Sequence, residues 1–202
     1  MEDKQFTVYF VRHGQTLFNT THQTQGWSDS PLTEEGIAQA HKLKELFENK
    51  IDKAYSSSSE RAMDTCEIIV GGRNFYYTKL FKEMNFGLLE GFVERRAGTL
   101  RKHIELSQGY EDVKGESAES LNKRIQEGLE LIAGEAEDND RILVVTHGIY
   151  IMYLIAMFND FSFLDFIQKK KGPISNGSLT ILQYKNGKYK MQAYDTTDYN
   201  LI

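Results

Sequence analysis

Apolar positions along the chain alternate between two periodicities, one suited to strands and one to helices. Phe6-Thr7-Val8-Tyr9-Phe10-Val11 is β-branched and aromatic throughout, which predicts a strand that stops at Arg12-His13-Gly14. Polar, turn-rich sequence follows from Gln15 to Pro31. Behind Thr33-Glu34-Glu35-Gly36, the residues Ile37, Ala40, Leu43, Leu46 and Phe47 recur at helical spacing, with Thr33 as cap and the acids in the first turn. Ile51 to Tyr55 reads as a short strand, and the run Ser56-Ser57-Ser58-Ser59 offers capping hydroxyls to a helix with Ala62, Cys66, Ile69 and Val70 on one face. Gly71-Gly72 ends it.

Phe75 to Leu80 is strand-like, and Phe81 to Gly115 is irregular and rich in Gly and charge, with a helix expected near Leu100 to Leu106. Gly115-Glu116-Ser117 opens a helix through Leu121, Ile125, Leu129 and Ile132, and Arg141 to Thr146 is a continuous apolar strand of the kind found inside parallel sheets. A helix from Gly148 to Phe158 follows. Ser178 to Tyr184 and Tyr189 to Tyr194 flank Lys185-Asn186-Gly187-Lys188, a strong hairpin signal. Strands alternating with helices predict an α/β fold, a three-layer α/β/α sandwich with a mostly parallel central sheet. The 202 residues suggest one domain with a small lid insertion at about 81–115. In such sheets ligands bind beyond the carboxyl ends of the strands, and His13 and His147 each directly follow a predicted strand.

Charge changes the picture by exclusion. A formal net charge of −5 and a pI near 5.6 argue against nucleic acid or an anionic membrane surface as the main partner. Cys66 is the only cysteine, so no internal disulfide framework or multi-cysteine zinc site is expected. The start Met1-Glu2-Asp3-Lys4 lacks signal-peptide shape, which with the single cysteine suggests a cytoplasmic protein. The most apolar stretch, Ile142 to Phe158, is interrupted by Thr146-His147-Gly148 and falls short of a membrane span.

Against that acidic background, basic groups gather at the predicted sheet edge. Arg12 and His13 end the first strand, Gly14 lets the backbone pass close to a ligand, Arg61 lies in the first turn of its helix, and His147-Gly148 joins the central strand to the next helix. Permanently charged guanidiniums match phosphoryl oxygens and neutralise charge without a metal. An imidazole beside them is disfavoured from protonating, which leaves a nitrogen lone pair to attack phosphorus and makes a phosphohistidine reasonable. An alcohol leaving group needs a proton donor, for which Glu83 in Glu83-Met84-Asn85-Phe86-Gly87-Leu88-Leu89-Glu90-Gly91 is the candidate, with Glu90 and Glu94 close by in sequence. Paired histidines also suggest a metal, yet no His-x-x-x-His or His-Glu-x-x-His spacing occurs and arginines would repel a cation. Neither metal nor other cofactor is expected.

These separated motifs, taken in order, resemble the histidine phosphatase superfamily, also called phosphoglycerate mutase-like, over essentially the full chain. The resemblance of Arg12-His13-Gly14 to the family signature implies that His13 is the phosphorylated nucleophile and Arg12 a phosphate ligand. It likewise implies that Asn19, Gln25 and Gly26 contribute to the phosphate pocket. Ser57-Ser58-Ser59-Glu60-Arg61-Ala62-Met63-Asp64-Thr65 is similar to the segment supplying the second arginine, Thr146-His147-Gly148 to the one supplying a second histidine that bonds the transferring group, and Glu83 to the proton donor. True mutases resemble one another in Arg-His-Tyr just after the acid and in a longer, arginine-bearing insertion; here Met84-Asn85-Phe86 stands there, and Gly115-Glu116-Ser117 looks more like the phosphatase branch.

The resemblance therefore implies hydrolysis of small phosphomonoesters, with a phosphoglycerate mutase or a non-catalytic phosphate-ester-binding protein as alternatives. Arg95, Arg96, Arg101, Lys102 and His103 either contact an anionic substrate or form a solvated face, and Lys169-Lys170-Lys171 fits a helix C-terminus. Trp27 reads as packing, Cys66 and the methionines as core, and His22, His41 and His103 as ordinary polar residues.

Overall fold

The computed structural model describes residues 4–93, 109–159 and 173–201. In chain order the strands are β1 (Gln5–Arg12), β2 (Lys53–Ser57), β3 (Tyr76–Thr78), β4 (Arg141–Thr146), β5 (Leu179–Lys185) and β6 (Lys188–Thr196). The helices are α1 (Leu17–Thr20), α2 (Glu34–Phe47), α3 (Glu60–Val70), α4 (Ala118–Glu135) and α5 (Gly148–Met157), with short 3-10 turns between. The strands form a six-stranded sheet in the order β3-β2-β4-β1-β5-β6. β1, β2, β3 and β4 run parallel, while β5 and β6 are antiparallel additions at one side. The expected mixed α/β architecture with a mostly parallel sheet is thus present.

Alternation explains why β1 and β4 read as uninterrupted apolar runs. Phe6, Val8, Phe10, Ile142 and Val144 project to one face, where they pack with Leu121, Ile125 and Ile132 of α4 and Tyr150 of α5. Tyr9, Val11, Leu143 and Val145 project to the other, against Ala40 and Leu43 of α2 and Ala62 and Cys66 of α3. The two strands are apolar on both sides because both sides are covered. Helix α5 is buried nearly all round, from Tyr150 to Ile155, which accounts for its lack of an amphipathic stripe.

Several local expectations need correction. Ser59 occupies the N-cap of α3 but its hydroxyl caps nothing; Asp29, far away in sequence, accepts from the amides of Glu60 at 2.6 Å and Arg61 at 3.4 Å. A carboxylate is the stronger acceptor at a helix N-terminus, so it displaces the hydroxyl from that role. The strand expected over Phe75–Leu80 shrinks to Tyr76–Thr78, because Thr78 Oγ1 accepts from Leu80 N and turns the chain so that Phe81 enters the core. The strand expected at Ile51–Tyr55 starts at Lys53 and runs to Ser57. Within the polar stretch after Gly14, α1 is held by a capping box between Thr16 and Asn19.

The region read as a lid from 81 begins as core, since Phe81, Met84, Phe86, Leu89 and Tyr110 are all buried in the cluster beneath α4. Large apolar side chains outweigh the Gly and charge content there. The helix expected near Leu100–Leu106, the basic residues Arg95, Arg96, Arg101, Lys102 and His103, Glu94, and Lys169-Lys170-Lys171 lie outside the described residues. Thr33 caps α2, Ser117 caps α4, and the hairpin turns at Asn186 and Gly187, whose φ values of 52° and 78° suit a type I′ turn.

Candidate active site

Sheet register builds the site. In the parallel pair β1–β4, Arg12 lies opposite Thr146, so the next residues, His13 and His147, emerge side by side at the carboxyl ends. His13 N donates to Thr146 O at 3.0 Å, and the two imidazole centroids stand 5.2 Å apart. Both rings are buried, and both are held well below the ordinary histidine pKa, by burial first and then by Arg61; Arg12 adds to the effect on each. Each is therefore neutral near pH 7.

Arg61 fixes the tautomers, because a guanidinium can only donate. Its Nε donates to His13 Nε2 at 3.2 Å, so that nitrogen carries the lone pair, and His13 Nδ1–H donates to Gly14 O at 2.7 Å. Arg61 Nη2 donates to His147 Nδ1 at 3.0 Å, which leaves His147 Nε2–H to donate to Ser57 Oγ at 2.7 Å. The remaining Arg61 donors reach Ser28 O at 3.0 Å, Asp29 Oδ1 at 2.9 Å and Gly26 O at 2.9 Å. At 1% exposure this cation is satisfied by two loop carbonyls, one carboxylate and two histidines.

Glu83 approaches from the 3-10 segment after β3. Its Oε1 accepts from Met84 N at 2.9 Å and Tyr150 N at 3.0 Å, and its Oε2 from Ile149 N at 3.1 Å, so the first turn of α5 orients the carboxylate. Glu90, the other described carboxylate of that segment, accepts from the amides of Trp27, Ser28 and Phe86 and staples two loops together. It does not line the cleft.

Loop residues complete the floor. Gly26 has φ +59°, and a Cβ there would stand 2.2 Å from Glu90 Oε1, so only glycine lets its carbonyl meet Arg61. Gln25 Nε2 donates to Thr16 Oγ1 at 2.7 Å, and Asn19 Oδ1 accepts from Thr16 N at 3.1 Å. Arg12 donates from Nη1 to Ile174 O and lies against Gly148, where a Cβ would come within 3.4 Å of Arg12 Nε.

Arg12, His13, Asn19, Gln25, Gly26, Arg61, Glu83 and Gly148 all line one cleft of about 550 Å³, open mouth included. His147 does not; it sits behind Arg61, fully buried, with both ring nitrogens engaged by Arg61 and Ser57. The sequence reading missed several supports. Asn176 donates from Nδ2 to His13 O at 2.9 Å and Asn19 Oδ1 at 3.3 Å, and Thr65 Oγ1 accepts from Gly14 N at 3.1 Å. Asn176 carries no local signal beyond a turn-forming Asn-Gly pair; Thr65 ends the Ser57–Thr65 stretch and Asp29 lies in the polar run to Pro31, and nothing local marks either contact. Gln23, Thr24, Phe86, Ile149, Met152, Pro173 and Ile174 form the rest of the wall. Among the described residues no three His, Cys, Asp or Glu side chains converge as metal ligands, and no helix is long and apolar enough to cross a membrane.

A family model described as the histidine phosphatase superfamily (branch 1) matches residues 8–197. A protein described as probable phosphoglycerate mutase GpmB from Yersinia pestis (strain Pestoides F) is 32% identical over 157 residues, covering 74% of this chain and 73% of its own. Among solved structures, a phosphoglycerate mutase from Bacillus anthracis str. Sterne superposes with a TM-score of 0.82 at 29% identity, covering 98% of this chain and 96% of its own. A phosphoserine phosphatase from Entamoeba histolytica in complex with phosphoserine superposes with a TM-score of 0.81 at 25% identity, covering 96% and 98%.

Proposed function

The chain belongs to branch 1 of the histidine phosphatase superfamily, and from that premise we propose that it hydrolyses small phosphomonoesters through a phosphohistidine on His13, without a metal. The observation that carries this reading is the tautomer of His13. Its Nδ1–H is tied to Gly14 O, and its Nε2 lone pair is aimed at Arg61 in a cleft that also holds Arg12 and Glu83.

A phosphoryl oxygen entering between His13 and Arg61 takes over the Arg61 Nε donor and frees the Nε2 lone pair. Arg12, Arg61 and Asn19 then hold the phosphoryl oxygens. His147 acts on the group through Arg61 unless it turns from Ser57 to bond an oxygen itself. Thr24 Oγ1 and Gln25 Oε1, buried and without hydrogen-bond partners among the described residues, are further polar atoms on this wall. Turning the Gln25 amide over lets Thr16 O–H donate to its oxygen and offers its NH₂ to the anion. His13 Nε2 attacks phosphorus, the P–O bond to the alcohol breaks, and Glu83 gives the departing oxygen its proton. Water then attacks the phosphohistidine, Glu83 takes back the proton, and phosphate leaves. Positioning and charge supply most of the acceleration.

Two relatives bear mutase names, which supports phosphoglycerate mutase as a second reading. Against it, Met84-Asn85-Phe86 stands where mutases resemble one another in Arg-His-Tyr, and the described wall beyond the phosphoryl pocket, Gln23, Phe86, Ile149, Met152, Pro173 and Ile174, is mostly apolar. A mutase must also hold a carboxylate and a second phosphate.

The test combines a chromogenic phosphomonoester, a chelator and rapid quench under alkaline conditions that preserve N–P bonds. Turnover unchanged by chelator, label on His13, and loss of nearly all activity in His13→Ala are expected. Label on another side chain, or activity restored only by Mg²⁺, overturns the reading. Isotope exchange between 2- and 3-phosphoglycerate faster than phosphate release establishes the mutase instead.

A further inference from the structure

The backbone that carries Glu83 is gripped by side chains that do not line the cleft. From α4, Arg124 Nη1 donates to Leu80 O and Lys82 O at 3.0 Å each and to Lys79 O at 3.3 Å, and its Nη2 donates to Glu83 O at 3.1 Å. Glu116 takes the rest, accepting from Arg124 Nε at 2.8 Å and Nη2 at 2.7 Å. Glu116 N also donates to Asn85 O at 2.8 Å and its Oε2 accepts from Asn85 N at 3.3 Å, one residue short of the turn that follows the acid. The Arg124 and Glu116 side chains are only 14% and 8% exposed. From the loop before α2, Trp27 Nε1 donates to the same Glu83 carbonyl at 2.9 Å, with Lys82 Nζ 4.7 Å from its ring centroid.

Residues 79–85 belong to no long helix and no ladder beyond Thr78, so their carbonyls find few of the partners that regular structure supplies. One planar guanidinium collects four of them. A proton donor must be held to within about 0.5 Å of its working position, and the carboxylate of Glu83 can meet the α5 amides and the leaving group only if its own backbone is fixed. We propose that Arg124, braced by Glu116 and seconded by Trp27, is the positioning residue for the acid–base group of this site. The proposal rests on the reading that Glu83 protonates the leaving alcohol.

Leaving-group dependence separates positioning from general damage. Release of p-nitrophenolate, a weak base, needs little proton donation, whereas release of an alkoxide from n-butyl phosphate needs it fully. With Arg124→Gln, kcat/KM on n-butyl phosphate, which reports the steps up to alcohol release and leaves out the hydrolysis of the phosphohistidine that both substrates share, should fall about 10²-fold, as expected for a misplaced group. On p-nitrophenyl phosphate the fall in kcat/KM should stay within about threefold, because the phosphoryl pocket is untouched. Glu83→Gln should show the same selectivity with a loss of about 10²–10⁴-fold, and the double variant Glu83→Gln/Arg124→Gln should be no slower than Glu83→Gln alone.

If Arg124→Gln fails to fold, Trp27→Phe decides. Trp27 is 38% exposed, and this change removes only the second donor to the carbonyl, so it should cost about fivefold on n-butyl phosphate alone, the worth of one hydrogen bond. Equal losses on both substrates, or a double variant slower by the product of the single losses, overturn the proposal and leave phosphatase activity standing. Equal and small effects of Glu83→Gln on the two substrates overturn the acid role itself.

Discussion

Acidification tests the claim that two neutral imidazoles are packed against a buried guanidinium. His13 and His147 are 2% and 0% exposed, and burial followed by Arg61 holds each well below the ordinary histidine value. In the unfolded chain both revert to a pKa of about 6.5 and charge as the pH drops. The unfolded state then binds more protons than the native one, so stability rises with pH in this window and is lost as pH falls below 6.5 toward the native values.

Between about pH 7.5 and about pH 5.5, each histidine that stays neutral in the fold costs about 1.4 kcal/mol, or about 2.7 kcal/mol for the pair. Urea unfolding at the two pH values measures the difference, and the window stays above the range where most carboxylates titrate. His147→Asn should show about half the loss, since one titrating group is gone. Imidazole ¹⁵N shifts of the wild-type protein should keep the neutral pattern for both residues at the lower pH. A stability change below about 0.5 kcal/mol, together with imidazolium shifts at about pH 6, would refute the neutral, tautomer-fixed pair.

Gly26→Ala places a residue with φ +59° and a Cβ 2.2 Å from Glu90 Oε1. It should cost at least about 1–2 kcal/mol in thermal or urea unfolding, and about tenfold in kcat/KM as the Arg61–Gly26 bond is disturbed; a variant with wild-type values on both removes this loop from the site. Ser57→Ala leaves the buried His147 Nε2–H without its acceptor, for an expected loss of about 1–3 kcal/mol in urea unfolding, and unchanged stability would show that the Ser57 bond does not fix the His147 tautomer.

The histidine pair of the candidate site was legible because it follows strand ends. Arg12-His13 and Thr146-His147 are local strings in which an apolar run stops at a basic pair or a histidine, and parallel register then brings the two ends together. Arg61 and Glu83 are marked by motif and chemistry, and both line the same cleft as His13. The supports escaped because they are made at a distance. Asn176 reaches His13 across 163 residues, Asp29 caps a helix 31 residues away, and Arg124 grips carbonyls 41–45 residues away. A serine run at a helix start looks like a cap, and nothing local reveals that a carboxylate from elsewhere will outcompete it. The start of the stretch read as a lid, Phe81 to Leu89, is harder to read for a related reason. Its glycines and charges suggest a surface flap, yet the residues that decide its place are the few large apolar ones, Phe81, Met84, Phe86 and Leu89, which α4 covers.

Strand β1 is hydrogen-bonded to β4 on one side and β5 on the other, and it buries side chains on both faces. During synthesis it leaves the ribosome well before either partner, since β4 begins only at Arg141 and β5 at Leu179. At about 5–20 residues per second, the nascent strand waits roughly 6–26 s for β4 with both edges open. His13 is thus delivered at the end of a strand whose hydrogen-bonding edges stay unpaired until most of the chain has been made. Over that interval its unpaired N–H and C=O groups are open to wrong strand partners, which compete with the native sheet.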